Sequence, residues 1–165
     1  EEYAKYLPVK FFILKRAEFN EPIDAMIYMM TSALGFAAIE NALFIFPLFY
    51  QNLFLGLELT ANRFLGANLL HALSSGIVGF FLARAWFLPD GNGPPRRTHS
   101  IALGIMLAAL LHAAFNYFIL IQDAGTQGTL YLVLLLSLMA IAVFIDFERL
   151  KKSNQPDKVG TIKTS

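Results

Sequence analysis

Apolar positions in this chain run in long blocks, and polar residues enter those blocks only singly, at helical spacing. The block "AMIYMMTSALGFAAIENALFIFPLFY" dominates a segment at about 22–51. Others follow at about 62–88 ("NRFLGANLLHALSSGIVGFFLARAWFL"), about 99–122 ("HSIALGIMLAALLHAAFNYFILIQ") and about 128–149. Each is long enough to cross about 30 Å of hydrocarbon, which takes roughly 20 helical residues. A shorter segment at 1–16, "EEYAKYLPVKFFILKR", reads as an embedded helix that Pro8 can kink. The linkers "AEFNE", "NLFLGLELTA", "PDGNGPPRRT" and "DAGTQG" carry loop chemistry, and Pro22 suits a first helical turn. The expected fold is an all-α, polytopic transmembrane helix bundle, with about four full spans plus the N-terminal embedded helix. Residues 1–150 form its core and 151–165 a polar tail.

Composition sharpens this. A 165-residue chain that is 56% hydrophobic is too apolar for a soluble domain. A membrane β-barrel is disfavoured, because its strands read as short alternating segments. The net charge of +1 implies no nucleic-acid partner. The absence of cysteine excludes disulfides, thiolate catalysis and cysteine metal sites together.

Basic residues set the orientation. Lys10, Lys15 and Arg16, then Arg84, Arg96 and Arg97, then Arg149, Lys151, Lys152, Lys158 and Lys163 fall on one side; the opposite side has Arg63 alone. Under the positive-inside rule all four segments span and the C-terminus is cytoplasmic.

The polar intruders share a depth. Glu40, His71 and His112 each lie about ten residues, or roughly 15 Å, from the outer end of their segments. Glu1 and Glu2 reach the same level if segment 1–16 is helical, and Lys5 is spaced to pair with them. Asn68, His71, Ser75 and Gly79 form one stripe; His112 and Asn116 are i and i+4; Ser32, Phe36 and Glu40 share a face. Taken singly, an intramembrane His or Asn is as readily interhelical glue as chemistry, and the small residues serve close packing. An unpaired buried carboxylate has no such structural merit, costing roughly 2.5–3.5 kcal/mol on insertion scales.

These residues resemble the PrsW family of intramembrane proteases, relatives of the CAAX-prenyl-protease and bacteriocin-processing membrane proteins. The similarity rests on "EEYAK" (Glu1–Lys5), "GFAAIEN" (Phe36, Glu40, Asn41), "HALSSGIVG" from His71 and "HAAFN" (His112, Asn116), in that order, over about residues 1–120. The resemblance implies a membrane-embedded peptidase that cuts a membrane-anchored protein, in bacteria an anti-sigma factor, in a bacterial or archaeal cell membrane. The outer depth of the cluster suits cleavage near the extracytoplasmic face. Family members carry further membrane helices before the first motif, so more spans are expected upstream of Glu1.

Peptide hydrolysis needs an activated water and a stabilised oxyanion. Glu1 or Glu2 is the candidate base, with Lys5 holding the pair. Glu40, His71 and His112 complete the site, and Asn116 is an oxyanion donor or a support. Two versions stand. In one, His71, His112 and Glu40 bind zinc; in the other glutamate and histidine act without metal, which analogy with the CAAX-type relatives favours. Rival classes are a bis-His haem protein and an ion or proton pathway. The topology is testable because native cysteine is absent: a Gly125→Cys variant is expected to label from outside the cell, and labelling only from the cytoplasmic side would reverse the orientation.

Overall fold

The computed structural model describes residues 1–51, 53–54, 66–87, 94–122 and 126–153. These form α1 (Glu2–Pro8), a π-helical turn (Val9–Ile13), α2 (Pro22–Gln51), α3 (Ala67–Phe87), α4 (Pro94–Gln122) and α5 (Thr126–Ser153). No strand occurs among the described residues. The helices α2 to α5 each contain a stretch long and apolar enough to cross a membrane.

Local chemistry explains several boundaries. Asp24, at the third position of α2, accepts hydrogen bonds from the Glu21 and Asn20 amides at 2.8 and 3.1 Å, closing the helix start behind Pro22. Segment 1–16 is helical only as far as Ile13. Pro8 does not break it: the chain stays right-handed helical there and widens afterwards, the Leu14 amide bonding to Val9 O five residues back. The stretch 94–98, expected as loop, is already helical, because two prolines at a helix start forfeit only amides that lack partners anyway. Helix α5 likewise runs to Ser153, three residues into the expected tail. Arg63, Arg96's side chain, Gly125, Lys158, Lys163 and most of the linkers fall outside what is described.

The axle of the bundle is α3. It packs against α1, α2, α4 and α5, and its residues 70–79 are buried without interruption. By contrast α2, α4 and α5 turn large apolar side chains outward, among them Leu43, Phe46, Leu110, Leu120, Leu138 and Phe144. That is the pattern of a bundle whose outer faces meet lipid. At one end Phe19 packs on Tyr28, Trp86 and Phe87, and Arg97 lies 5.6 Å from the Trp86 ring. An aromatic–cationic group of this kind belongs at a membrane interface.

Small residues let α3 take that central place. A Cβ on Gly79 would meet Met26 Cα at 2.5 Å, and one on Gly104 would meet Phe81 Cβ at 2.8 Å. The α2–α3 and α3–α4 crossings are therefore closer than any side chain permits. Gly79→Ala is expected to lower stability in detergent by about 1–3 kcal/mol through overpacking. Gly35→Ala, where nothing lies within 4 Å, is expected to be neutral or slightly stabilising, through helix propensity. Equal effects of the two in thermal unfolding would contradict the close-crossing account.

Candidate active site

Close crossings matter because the polar residues of four helices meet between them. Glu2 and Lys5 sit one turn apart on α1, Glu40 on α2, His71 and Ser74 one turn apart on α3, and His112 on α4. Glu1 caps the start of α1, its carbonyl accepting from the Lys5 amide at 2.9 Å.

Glu2 is the most heavily partnered. Its Oε1 accepts from Lys5 Nζ at 2.6 Å and from His112 Nδ1 at 2.8 Å, and its Oε2 from Ser74 Oγ at 3.2 Å. Three donors on three helices hold this buried carboxylate in its charged form. The Lys5 side chain is 0% exposed; besides Glu2 it has Glu1 Oε2 at 3.8 Å and the Phe36 ring 5.2 Å away. Buried lysine is tolerated because carboxylates and an aromatic face surround it.

The histidines are held alike. A carboxylate can only accept, so each ring nitrogen facing one must carry the proton. His71 Nε2 donates to Glu40 Oε2 at 2.9 Å, and His112 Nδ1 donates to Glu2 Oε1. In its neutral form each ring keeps a lone pair on the other nitrogen; on His112 that nitrogen faces Glu1, an arrangement that needs either a second proton or a cation between them. His71 Nδ1 is buried with no hydrogen-bond partner, and His112 Nε2 has only Glu1 Oε2, at 3.5 Å. The two rings lie edge to face with centroids 5.2 Å apart.

One donor atom from each of Glu1, His71 and His112 lies within 4.8 Å of the other two. Imidazoles anchored by carboxylates and grouped with a third carboxylate are a common support of a metal ion. The charge balance agrees. Glu1, Glu2 and Glu40 against Lys5 leave two negative charges in a largely buried cluster, and a divalent cation would neutralise them. The donor set thus fits a metal, with Glu1 rather than Glu40 as its carboxylate; Glu40 supports His71 from behind.

The cluster opens on one side into a cleft of about 250 Å³, lined by Glu1, Glu2, Ala109, His112, Ala113 and Asn116. Glu1 is the cluster's most exposed carboxylate, its side chain 43% exposed against 23% for Glu40 and 3% for Glu2. Asn116 lies one helical turn beyond His112 on the cleft wall. At the same level Asn41 Nδ2 donates to Asn68 Oδ1 at 2.7 Å, tying α2 to α3. Every residue proposed from sequence for the site therefore lies in the cluster or on its cleft. Sequence reasoning passed over Ser74; it placed Ser75 on the His71 stripe as a close-packing residue, and the Ser75 hydroxyl is buried without a partner. The available signal was position: Ser74 is three residues after His71, one turn along the same face.

Comparison with known proteins shows the family. The family model described as "PrsW family intramembrane metalloprotease" matches residues 1–144. The chain belongs to the PrsW family. It is 31% identical over 123 residues to Protease PrsW of Geobacillus kaustophilus, covering 74% of this chain and 49% of that protein. To Protease PrsW of Halalkalibacterium halodurans it is 27% identical, covering 96% and 66%, and to that of Clostridioides difficile 28%, covering 92% and 59%. The chain thus spans about half to two-thirds of the length of these PrsW relatives. No solved structure matches it.

Lys5 is the one cation in the described PrsW cluster that is charged irrespective of histidine protonation. Lys5→Met is therefore expected to lower stability by about 3–5 kcal/mol, the cost of leaving a buried charge unanswered. Adding Glu2→Gln in the same chain is expected to recover part of the loss. Unfolding titrations in detergent measure both, and an unchanged midpoint for Lys5→Met would show that Glu2 does not need its ammonium.

Proposed function

We propose that this PrsW chain carries the catalytic cluster of a metal-dependent intramembrane endopeptidase. The observation that carries the reading is the pair of carboxylate-anchored imidazoles, with one donor atom from each of His71, His112 and Glu1 lying within 4.8 Å of the others. These three residues would hold the ion. Bound there, a divalent metal such as zinc supplies Lewis acidity and an acidified water.

The chain's own groups do the rest. Hydrolysis requires a proton acceptor facing the cleft. Glu2 is occupied by three donors and Glu40 by His71, which leaves Glu1, steadied by Lys5. The Asn116 amide, on the cleft wall beside His112, is placed to donate to a carbonyl oxygen as it becomes an oxyanion. Apolar helices around the cluster exclude bulk water and so strengthen each of these interactions. The cleft opens beside α4, a route for a substrate segment arriving within the membrane. The substrate proposed is a membrane-anchored regulatory protein, such as an anti-sigma factor, cut near the extracytoplasmic face. That depth follows from the residue count from the outer helix ends and from the distribution of basic residues.

The bis-His haem alternative loses support from the geometry: rings in edge-to-face contact 5.2 Å apart leave no slot for a macrocycle between them. An ion pathway would not require both imidazoles to present lone pairs to one point.

The test combines metal analysis of full-length protein with mapping of new N-termini in membranes that contain it. Wild type is expected to hold about one zinc per chain. His71→Ala and His112→Ala are expected to lose both metal and cleavage. Glu40→Gln, nearly isosteric, is expected to accumulate normally and leave the substrate uncut. Glu1→Gln assigns its residue: loss of metal makes Glu1 a ligand, whereas retained metal with no cleavage makes it the base. Cleavage at wild-type rate by Glu40→Gln and Glu1→Gln would refute the assignment.

A further inference from the structure

The buried hydroxyl of Ser74 has no part in the proposed chemistry, yet it is the third donor to Glu2. Ser74 is 0% exposed, and its Oγ lies 3.2 Å from Glu2 Oε2 and 3.2 Å from the carbonyl of His71. A hydroxyl has one proton. Glu2 Oε2 is charged and the carbonyl is not, so the carboxylate is the stronger acceptor. Glu2 in turn accepts from His112 Nδ1 through its other oxygen. A chain of contacts thus runs from Ser74 on α3, through Glu2 on α1, to His112 on α4.

A second hydroxyl holds the same short helix from the opposite side. The Val9 amide bonds to Tyr6 O, three residues back. The Lys5 carbonyl, four residues back, takes the Ser32 hydroxyl of α2 at 2.6 Å. Side-chain contacts thus tie α1 to the bundle from two neighbours: Ser32 grips its backbone while Ser74 grips its Glu2 carboxylate.

We propose that Ser74 is a positioning residue for the metal centre. It orients Glu2, which fixes the tautomer and direction of His112 and so keeps His112 Nε2 aimed at the ion. This rests on the metal reading above. Removing the partner one step behind a metal ligand, here Glu2, typically costs about 10–100-fold in affinity; Ser74 stands one step further back, so its removal is expected to cost less, about three- to tenfold.

The experiment uses full-length protein in detergent, with zinc as the probe in competition with a chelator. Ser74→Ala is expected to weaken zinc binding about three- to tenfold, less than loss of the direct ligand partner Glu2, while the thermal midpoint stays near that of wild type. In a Glu2→Gln background the same change is expected to add little, because the path through Glu2 is already cut. Hydrogen exchange at the Lys5 amide, which bonds to Glu1 O, gives a readout without metal. Ser74→Ala is expected to speed exchange there, and Ser32→Ala to do the same. Zinc affinity of Ser74→Ala within twofold of wild type, or full additivity with Glu2→Gln, would overturn the proposal. If wild type itself binds no zinc, the metal reading fails, and the exchange measurement then decides for Ser74 alone: faster exchange supports its grip on α1, and unchanged exchange removes it.

Discussion

The Glu2 carboxylate, buried among Lys5, His112 and Ser74, is the contact on which this structure turns. A carboxylate in a helix bundle of this kind cannot rely on water, so its neighbours must supply every donor it has. Here they come from α1 itself, from α3 and from α4. Satisfying one charge thus joins three helices, and doing so aligns the face of α1 that carries Glu1. Glu40 and His71 repeat the device between α2 and α3. Between them the two pairs leave His71 Nδ1 without a partner and His112 Nε2 with only Glu1 at 3.5 Å, which is the basis of the metal site proposed above.

Packing makes this possible. Hydrogen bonds of 2.8–2.9 Å between side chains on different helices require backbones close enough for short residues to reach. Gly79 against Met26 and Gly104 against Phe81 provide that closeness on either side of α3. The apolar remainder of α2, α4 and α5 faces outward, where lipid tails replace water. The same sequence therefore spends its small residues along the axis and its large ones on the perimeter, with polar residues at one level on the inner faces.

Much of this was legible in the sequence. Apolar block lengths gave four spans, since block length and bilayer thickness are directly related. The site emerged from counting residues to a common depth, because rise per residue in a helix is nearly constant. Boundaries were less legible. The helical start at Pro94 and the π turn after Pro8 depend on which amides lack partners, and composition does not reveal that. Faces were read to within one residue: Ser75 stands on the His71 stripe as a packing residue, whereas Ser74 makes the contact with Glu2, because adjacent residues in a helix diverge by about 100° and only tertiary contact decides between them. The lean towards a metal-free site came from family analogy. The converging donors of Glu1, His71 and His112, with His71 Nδ1 left bare, support a metal instead.

The two uncommitted imidazole nitrogens are what the metal reading depends on, and the absence of cysteine makes them directly visible. X-ray absorption at the zinc edge of full-length, zinc-loaded protein reports the atoms bound to the ion. The expected spectrum shows the multiple-scattering signature of two imidazoles together with oxygen donors, and one imidazole disappears in either His71→Ala or His112→Ala. A spectrum with oxygen scattering alone, unchanged by either substitution, would contradict a metal centre built on these two histidines.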